Sequence, residues 1–116
     1  MSKSKVCITG ANGRVGRELV GHLSRAGHEV IGLVRSESAA RVVEQAGGQA
    51  VVAQLSETSA VASAISGAAW IFHLAGTVRG PGKETAEVVN HQGTRHLLTA
   101  LSSADRGELQ ALVFTS

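Results

Sequence analysis

The sequence predicts an α/β fold: a parallel sheet of about five strands with flanking helices. Three observations predict it. Short apolar runs alternate with helical patterns in the order β-α-β-α-β-α-β-α-β, which gives a parallel sheet joined by right-handed crossovers. Hydrophobic residues make up 43% of the chain and charged residues 17%, a balance suited to strands buried on both faces and not to a disordered chain. Glycines stand where helices should stop, at Gly27, Gly47 and Gly67.

Each element follows from its residues. The unbroken apolar run Val6-Cys7-Ile8 places the first strand over residues 5–9. A helix follows from about Gly13 to Ala26, with Val15, Leu19, Leu23 and Ala26 as its apolar side and Gly27 as a left-handed cap. Residues 28–34 form the second strand. Ser36 caps a helix over Glu37–Ala46, which Gly47-Gly48 ends. Residues 50–53 form a short third strand. Ser56 caps a short helix carrying Val61, Ala64 and Ile65, and residues 69–74 form the fourth strand. Residues 75–83 hold three glycines and the only proline, a loop longer than its neighbours and of the kind that carries function. A long helix over about Glu84–Ala104 has Val88, Leu97, Leu98 and Leu101 on its apolar side. Gly93 inside it costs about 1 kcal/mol against Ala and marks a close packing contact. Residues 109–115 form the fifth strand. No linker, repeat or second domain interrupts residues 1–116.

Composition narrows the function. The net charge is +2 and the 11 Lys and Arg are scattered, which argues against nucleic acid as a partner. No apolar run is long enough to span a membrane, and the N-terminus carries no signal-peptide core. Cys7 is the only cysteine, so it reads as a packed core thiol and suits a reducing, cytoplasmic compartment. The histidines have no metal-ligand spacing with it, and no metal site is expected.

The stretch Thr9-Gly10-Ala11-Asn12-Gly13-Arg14-Val15-Gly16 sits between a strand and a helix. A helix start leaves N–H groups unpaired and carries the positive end of the helix dipole, so a pyrophosphate there is hydrogen-bonded and charge-matched. Gly10 lets the chain turn, Gly13 lets a diphosphate approach the backbone, and Gly16 lets the helix press on the strand. The spacing is G-x-x-G-x-x-G, against the more common G-x-G-x-x-G. In a Rossmann-like sheet the ligand crevice lies at the carboxyl ends of the strands. Those ends carry this turn, then Arg35 and Ser36, then Gln54 and Leu55, then Ala75 and Gly76.

With Ile71-Phe72-His73-Leu74-Ala75-Gly76, Val89-Asn90-His91-Gln92-Gly93-Thr94, Leu97-Leu98 and Leu112-Val113-Phe114-Thr115-Ser116, the chain resembles the extended or atypical short-chain dehydrogenase/reductase superfamily. That is the NAD(P)-dependent epimerase/dehydratase and sugar-nucleotide reductase group. The resemblance runs from one end of the chain to the other. It implies that Gly10, Gly13, Arg14, Val15 and Gly16 hold the pyrophosphate, with Asn12 also binding the cofactor. It implies that Leu74, Ala75 and Gly76 line the cofactor near the nicotinamide ribose, with Asn90 bonding in the same region. His73 reads as a buried strand histidine bonded to backbone.

The end of strand two selects the cofactor. An acid there would favour NAD; Val34-Arg35-Ser36 stands there instead. A guanidinium pairs bidentately with a 2′-phosphate, so NADP is favoured over NAD. After strand three the family usually has an Asp beside the adenine, and Gln54-Leu55 departs from that pattern.

The family's general acid/base is a Tyr poised by a Lys four residues on. This chain contains no Tyr, so no Tyr-x-x-x-Lys pair exists in it. Ser116 stands where the family's catalytic Ser or Thr arrives or just before it. The 116 residues therefore resemble the cofactor-binding part of a reductase or epimerase, cut after strand five and catalytically incomplete. The alternatives are a stand-alone dinucleotide-binding or sensor module, or a structural remnant that assembles with another chain. Strand five as an apolar edge and the long helix would offer a homodimer surface.

Overall fold

The computed structural model describes residues 3–74 and 86–114, with backbone alone over 86–90. Its elements are β1 (Lys5–Thr9), α1 (Arg14–Arg25), β2 (Glu29–Val34), α2 (Glu37–Ala46), β3 (Gln49–Val52), α3 (Thr58–Ile65), β4 (Trp70–His73), α4 (Ala86–Ser103) and β5 (Ala111–Phe114). The strands form one parallel sheet in the order β3-β2-β1-β4-β5. This is the expected Rossmann-like α/β fold. The chain leaves β1 for β2 and β3 on one side, then crosses back to β4 and β5 on the other. The switch point lies between β1 and β4, beside the glycine turn.

Strand alternation splits the core in two. Cys7, Ile31, Leu33 and Ile71 point to one face, where Val61 and Ile65 of α3 and Leu97 and Ala100 of α4 cover them. Val6, Ile8, Val30 and Val34 point to the other, under Val20 of α1 and Ala40 and Val43 of α2. Cys7 is fully buried, and its thiol donates to the Ala64 carbonyl at 3.3 Å. Desolvation pushes its pKa up to about 12, so it is an inert core thiol.

Helix ends follow the sequence at most places. Gly27 and Gly47 take the left-handed conformation. After α1, the His28 and Gly27 N–H groups bond to the Leu23 and Ser24 carbonyls, closing the last turn. Ser36 Oγ accepts from the Ala39 N–H at 3.2 Å, as expected of a cap. The expected cap at Ser56 is not made. Residues 54–57 form a turn instead, with the Glu57 carboxylate accepting from the Gln54 N–H at 2.8 Å, and α3 starts one residue after Glu57. The apolar sides of two helices also differ from expectation. In α1 the buried residues are Gly16, Val20 and Gly21, while Val15 is 65% exposed. Leu19 and Leu23 pack on the core as expected, while Gly16 seats the start of the helix against the turn after β1. In α4, Ala100 is buried and Leu98 is exposed, because α4 packs on α3 and the sheet through Leu97, Ala100 and Leu101.

Candidate functional site

The crevice is built at the carboxyl ends of β1, β2 and β3. Gly10 follows β1 with φ of 69°, a conformation that favours glycine, and its N–H bonds to the Leu33 carbonyl at 3.2 Å. The chain turns there, and the Gly13 N–H bonds back to the Gly10 carbonyl at 3.1 Å. Gly16 lies buried behind the turn. A Cβ built on it would come within 2.6 Å of the Gly10 oxygen, so only glycine lets α1 approach β1 this closely.

Gly13 is different. Its φ of −71° and ψ of 173° suit any residue, and a Cβ there would meet the Gly10 oxygen only at an ordinary 3.4 Å. The fold itself does not require glycine at this position. It is also the N-cap of α1, and no side chain caps that helix or places an acid in its first turn. The first bond into the helix runs from the Arg17 N–H to the Gly13 carbonyl at 2.8 Å. A bare, uncapped helix start beside a crevice fits an external anion such as a diphosphate.

Beside it lies a cavity of about 430 Å³, within the range of small-ligand sites. Thr9, Gly10, Asn12 and Gly13 form one wall and Leu33, Val34 and Arg35 the next. Ala53, Gln54, Leu55 and Ser56 close the β3 side, Leu74 the β4 side, and Gln92, Gly93 and His96 of α4 the back. A second cavity of about 380 Å³ adjoins it and is lined by Asn12, Arg35, Ser36, Ala39 and Gln54.

The structure thus brings together Gly10, Asn12, Gly13, Arg35, Ser36, Gln54, Leu55 and Leu74. Arg14 and Val15 are exposed on the first turn of α1 and line neither cavity. Ala75, Gly76, Ser116 and the Asn90 side chain lie outside the described residues. Sequence reasoning missed the α4 wall of Gln92, Gly93 and His96. The available signal was Gly93, a glycine inside a helix, and its expected packing contact is Leu55 Cδ1, 3.4 Å from a Cβ built there.

Under the crevice, His73 Nδ1 and Thr9 Oγ1 are 2.7 Å apart, and both residues are buried. The hydroxyl of Thr9, not the expected backbone group, bonds His73, because β1 and β4 pair Thr9 directly with His73. The ring of Phe114 meets His73 edge-on at 5.8 Å. Burial lowers the His73 pKa from its ordinary 6.5. Among the described residues no group of His, Cys, Asp and Glu side chains could hold a metal ion, and no helix is long and apolar enough to cross a membrane.

A profile of the NAD(P)H-binding family matches residues 10–113. The chain is 32% identical over 124 residues to tetraketide alpha-pyrone reductase 1 of Arabidopsis thaliana, covering 99% of this chain and 38% of that protein. It is 34% identical over 113 residues to UDP-2-acetamido-2,6-beta-L-arabino-hexul-4-ose reductase of Pseudomonas aeruginosa, covering 97% and 25%. The fold matches that of yeast methylglyoxal/isovaleraldehyde reductase Gre2, solved with NADPH, at a TM-score of 0.81 and 19% identity, covering 97% of this chain and 36% of that one. The chain spans 12–38% of the curated relatives it matches and 34–51% of the solved chains.

Proposed function

Because the chain belongs to the NAD(P)H-binding family, we propose that it is the dinucleotide-binding portion of an NAD(P)-dependent reductase or epimerase/dehydratase that takes NADP(H) in preference to NAD(H). The observation that carries this reading is Gly13: a glycine that the backbone does not need, at an uncapped helix start facing a cavity. The diphosphate would lie on the first turn of α1, against the N–H groups there. Asn12 and Gly10 would flank it. Leu74, Ala75, Gly76 and Asn90 would border the nicotinamide half, and the bound dinucleotide would supply hydride transfer.

NADP preference rests on the second cavity. Arg35 and Ser36 line it, and among the described residues no acidic side chain does. A 2′-phosphate there would meet a guanidinium and a hydroxyl. Turnover in the whole protein would need an acid/base from outside these residues, since they include no Tyr. The fully buried free thiol of Cys7 supports a cytoplasmic setting. Self-association is supported by exposed apolar residues on neighbouring strands: Phe114 of β5, and Trp70 of β4 stacked on Phe72. Sedimentation should then shift with concentration, and a concentration-independent monomer would end that part of the reading.

The cofactor reading is tested by calorimetric titration with NADPH and NADH. Micromolar NADPH binding is expected, with NADH weaker. Arg35→Ala should weaken NADPH about tenfold and leave NADH nearly unchanged. A folded sample that binds neither cofactor would refute the reading.

A further inference from the structure

The wall contributed by α4 has no role in the reading above. Gln92, Gly93 and His96 stand across the cavity from the loop after β3, where Gln54 and Leu55 lie. Leu33, Ala53 and Leu55 make the surroundings apolar. Apolar walls with a few convergent polar groups suit a planar heteroaromatic ring. In the proposed binding mode the diphosphate sits at the end of β1 and the adenosine ribose near Arg35 at the end of β2. The next position outward is the end of β3, so the purine base lies between Gln54 and the α4 wall.

The polar groups there share one chemical property. Gln54 is held through its backbone: its N–H donates to the Glu57 carboxylate and its carbonyl accepts from the Glu57 N–H. Among the described residues, no hydrogen bond engages the side-chain amides of Gln54 and Gln92 or the imidazole of His96. A carboxamide exchanges donor and acceptor by turning over, and a neutral imidazole does so by changing tautomer. A 6-aminopurine presents a donor at C6 and an acceptor at N1, while a 6-oxopurine presents the reverse. A carboxylate accepts only: facing C6, it would receive from a 6-amino group and repel a 6-oxo oxygen. No carboxylate lines the cavity among the described residues. Glu57 is the acid next to this loop, and its Oε1 already receives the Gln54 N–H.

We propose that this base pocket is tolerant at the purine 6-position, so that the hypoxanthine (deamino) dinucleotide binds nearly as well as the adenine one, with Gln54 as the residue that sets this tolerance. The inference rests on the proposed dinucleotide binding and deepens it. The test is calorimetric titration of the purified protein with NADPH and deamino-NADPH. The two dissociation constants should agree within about threefold, and Gln54→Asp should weaken the deamino form about tenfold relative to NADPH. His96→Asp, read in the same way, serves if the first variant does not fold. A wild-type preference for NADPH of about tenfold or more would overturn the inference, as would an unchanged ratio in the carboxylate variants. Wild-type protein that binds neither compound would instead overturn the dinucleotide reading itself.

Discussion

Helices α1 and α2 both begin at the rim of the crevice, and their N-termini are finished in opposite ways. In α2, Ser36 Oγ accepts from the Ala39 N–H, and Glu37 places an acid in the first turn. That end satisfies itself. In α1, Gly13 stands at the cap position, with no capping side chain and no acid behind it. A Gly at the cap in place of Ser gives up a few tenths of a kcal/mol of helix stability. The difference separates folding from binding. The closed end stabilises the domain, while the open end leaves N–H groups and dipole that would suit the proposed diphosphate. A 2′-phosphate near α2 would therefore depend on the Arg35 side chain more than on helix amides.

Substitutions can break this comparison. The largest effect is expected at Gly16, where a Cβ would strike the Gly10 oxygen and Ala11 backbone atoms at 2.6–2.8 Å. Gly16→Ala should cost about 2–3 kcal/mol in urea unfolding, because backbone on both sides must shift. Loss of the α2 cap in Ser36→Ala should cost about 1 kcal/mol in the same measurement while leaving NADH affinity unchanged.

A smaller effect is expected from pH. Burial keeps the native His73 pKa below 6.5, so the unfolded chain binds the proton more tightly. Stability from this group is full above pH 6.5, falls as pH drops below it, and stops falling below the lowered native value. His73→Gln should flatten that acid limb in a pH series of melting temperatures. An unchanged limb would assign it to other groups.

Much of the fold was legible because its signals are local. Glycines that end helices, Ser36 at a cap and apolar runs for two-sided strands each act within a few residues. The departures come where a distant or competing contact decides. Ser56 lost its capping role to a turn closed by Glu57. Spacing puts Val15 and Leu98 on apolar sides, yet tertiary packing leaves both exposed and buries Gly16, Val20 and Ala100. The site divides in the same way. The glycine turn, Arg35, Ser36 and Gln54 follow from strand ends and can be read in order. The α4 wall depends on which face of an 18-residue helix meets the sheet. Adjacent Leu97 and Leu98 left that face undetermined, and only Gly93 hinted at it.

On the proposed reading, the open start of α1 exists for a ligand and not for the fold. The direct measurement is NADPH titration of wild type and Gly13→Ser, alongside their thermal unfolding. Ser supplies the cap that α1 lacks, and the φ of −71° at this position accepts it. Stability equal to wild type or higher by a few tenths of a kcal/mol is expected, with NADPH affinity reduced tenfold or more. Unchanged affinity, or a loss of stability that matches the loss of binding, would contradict it.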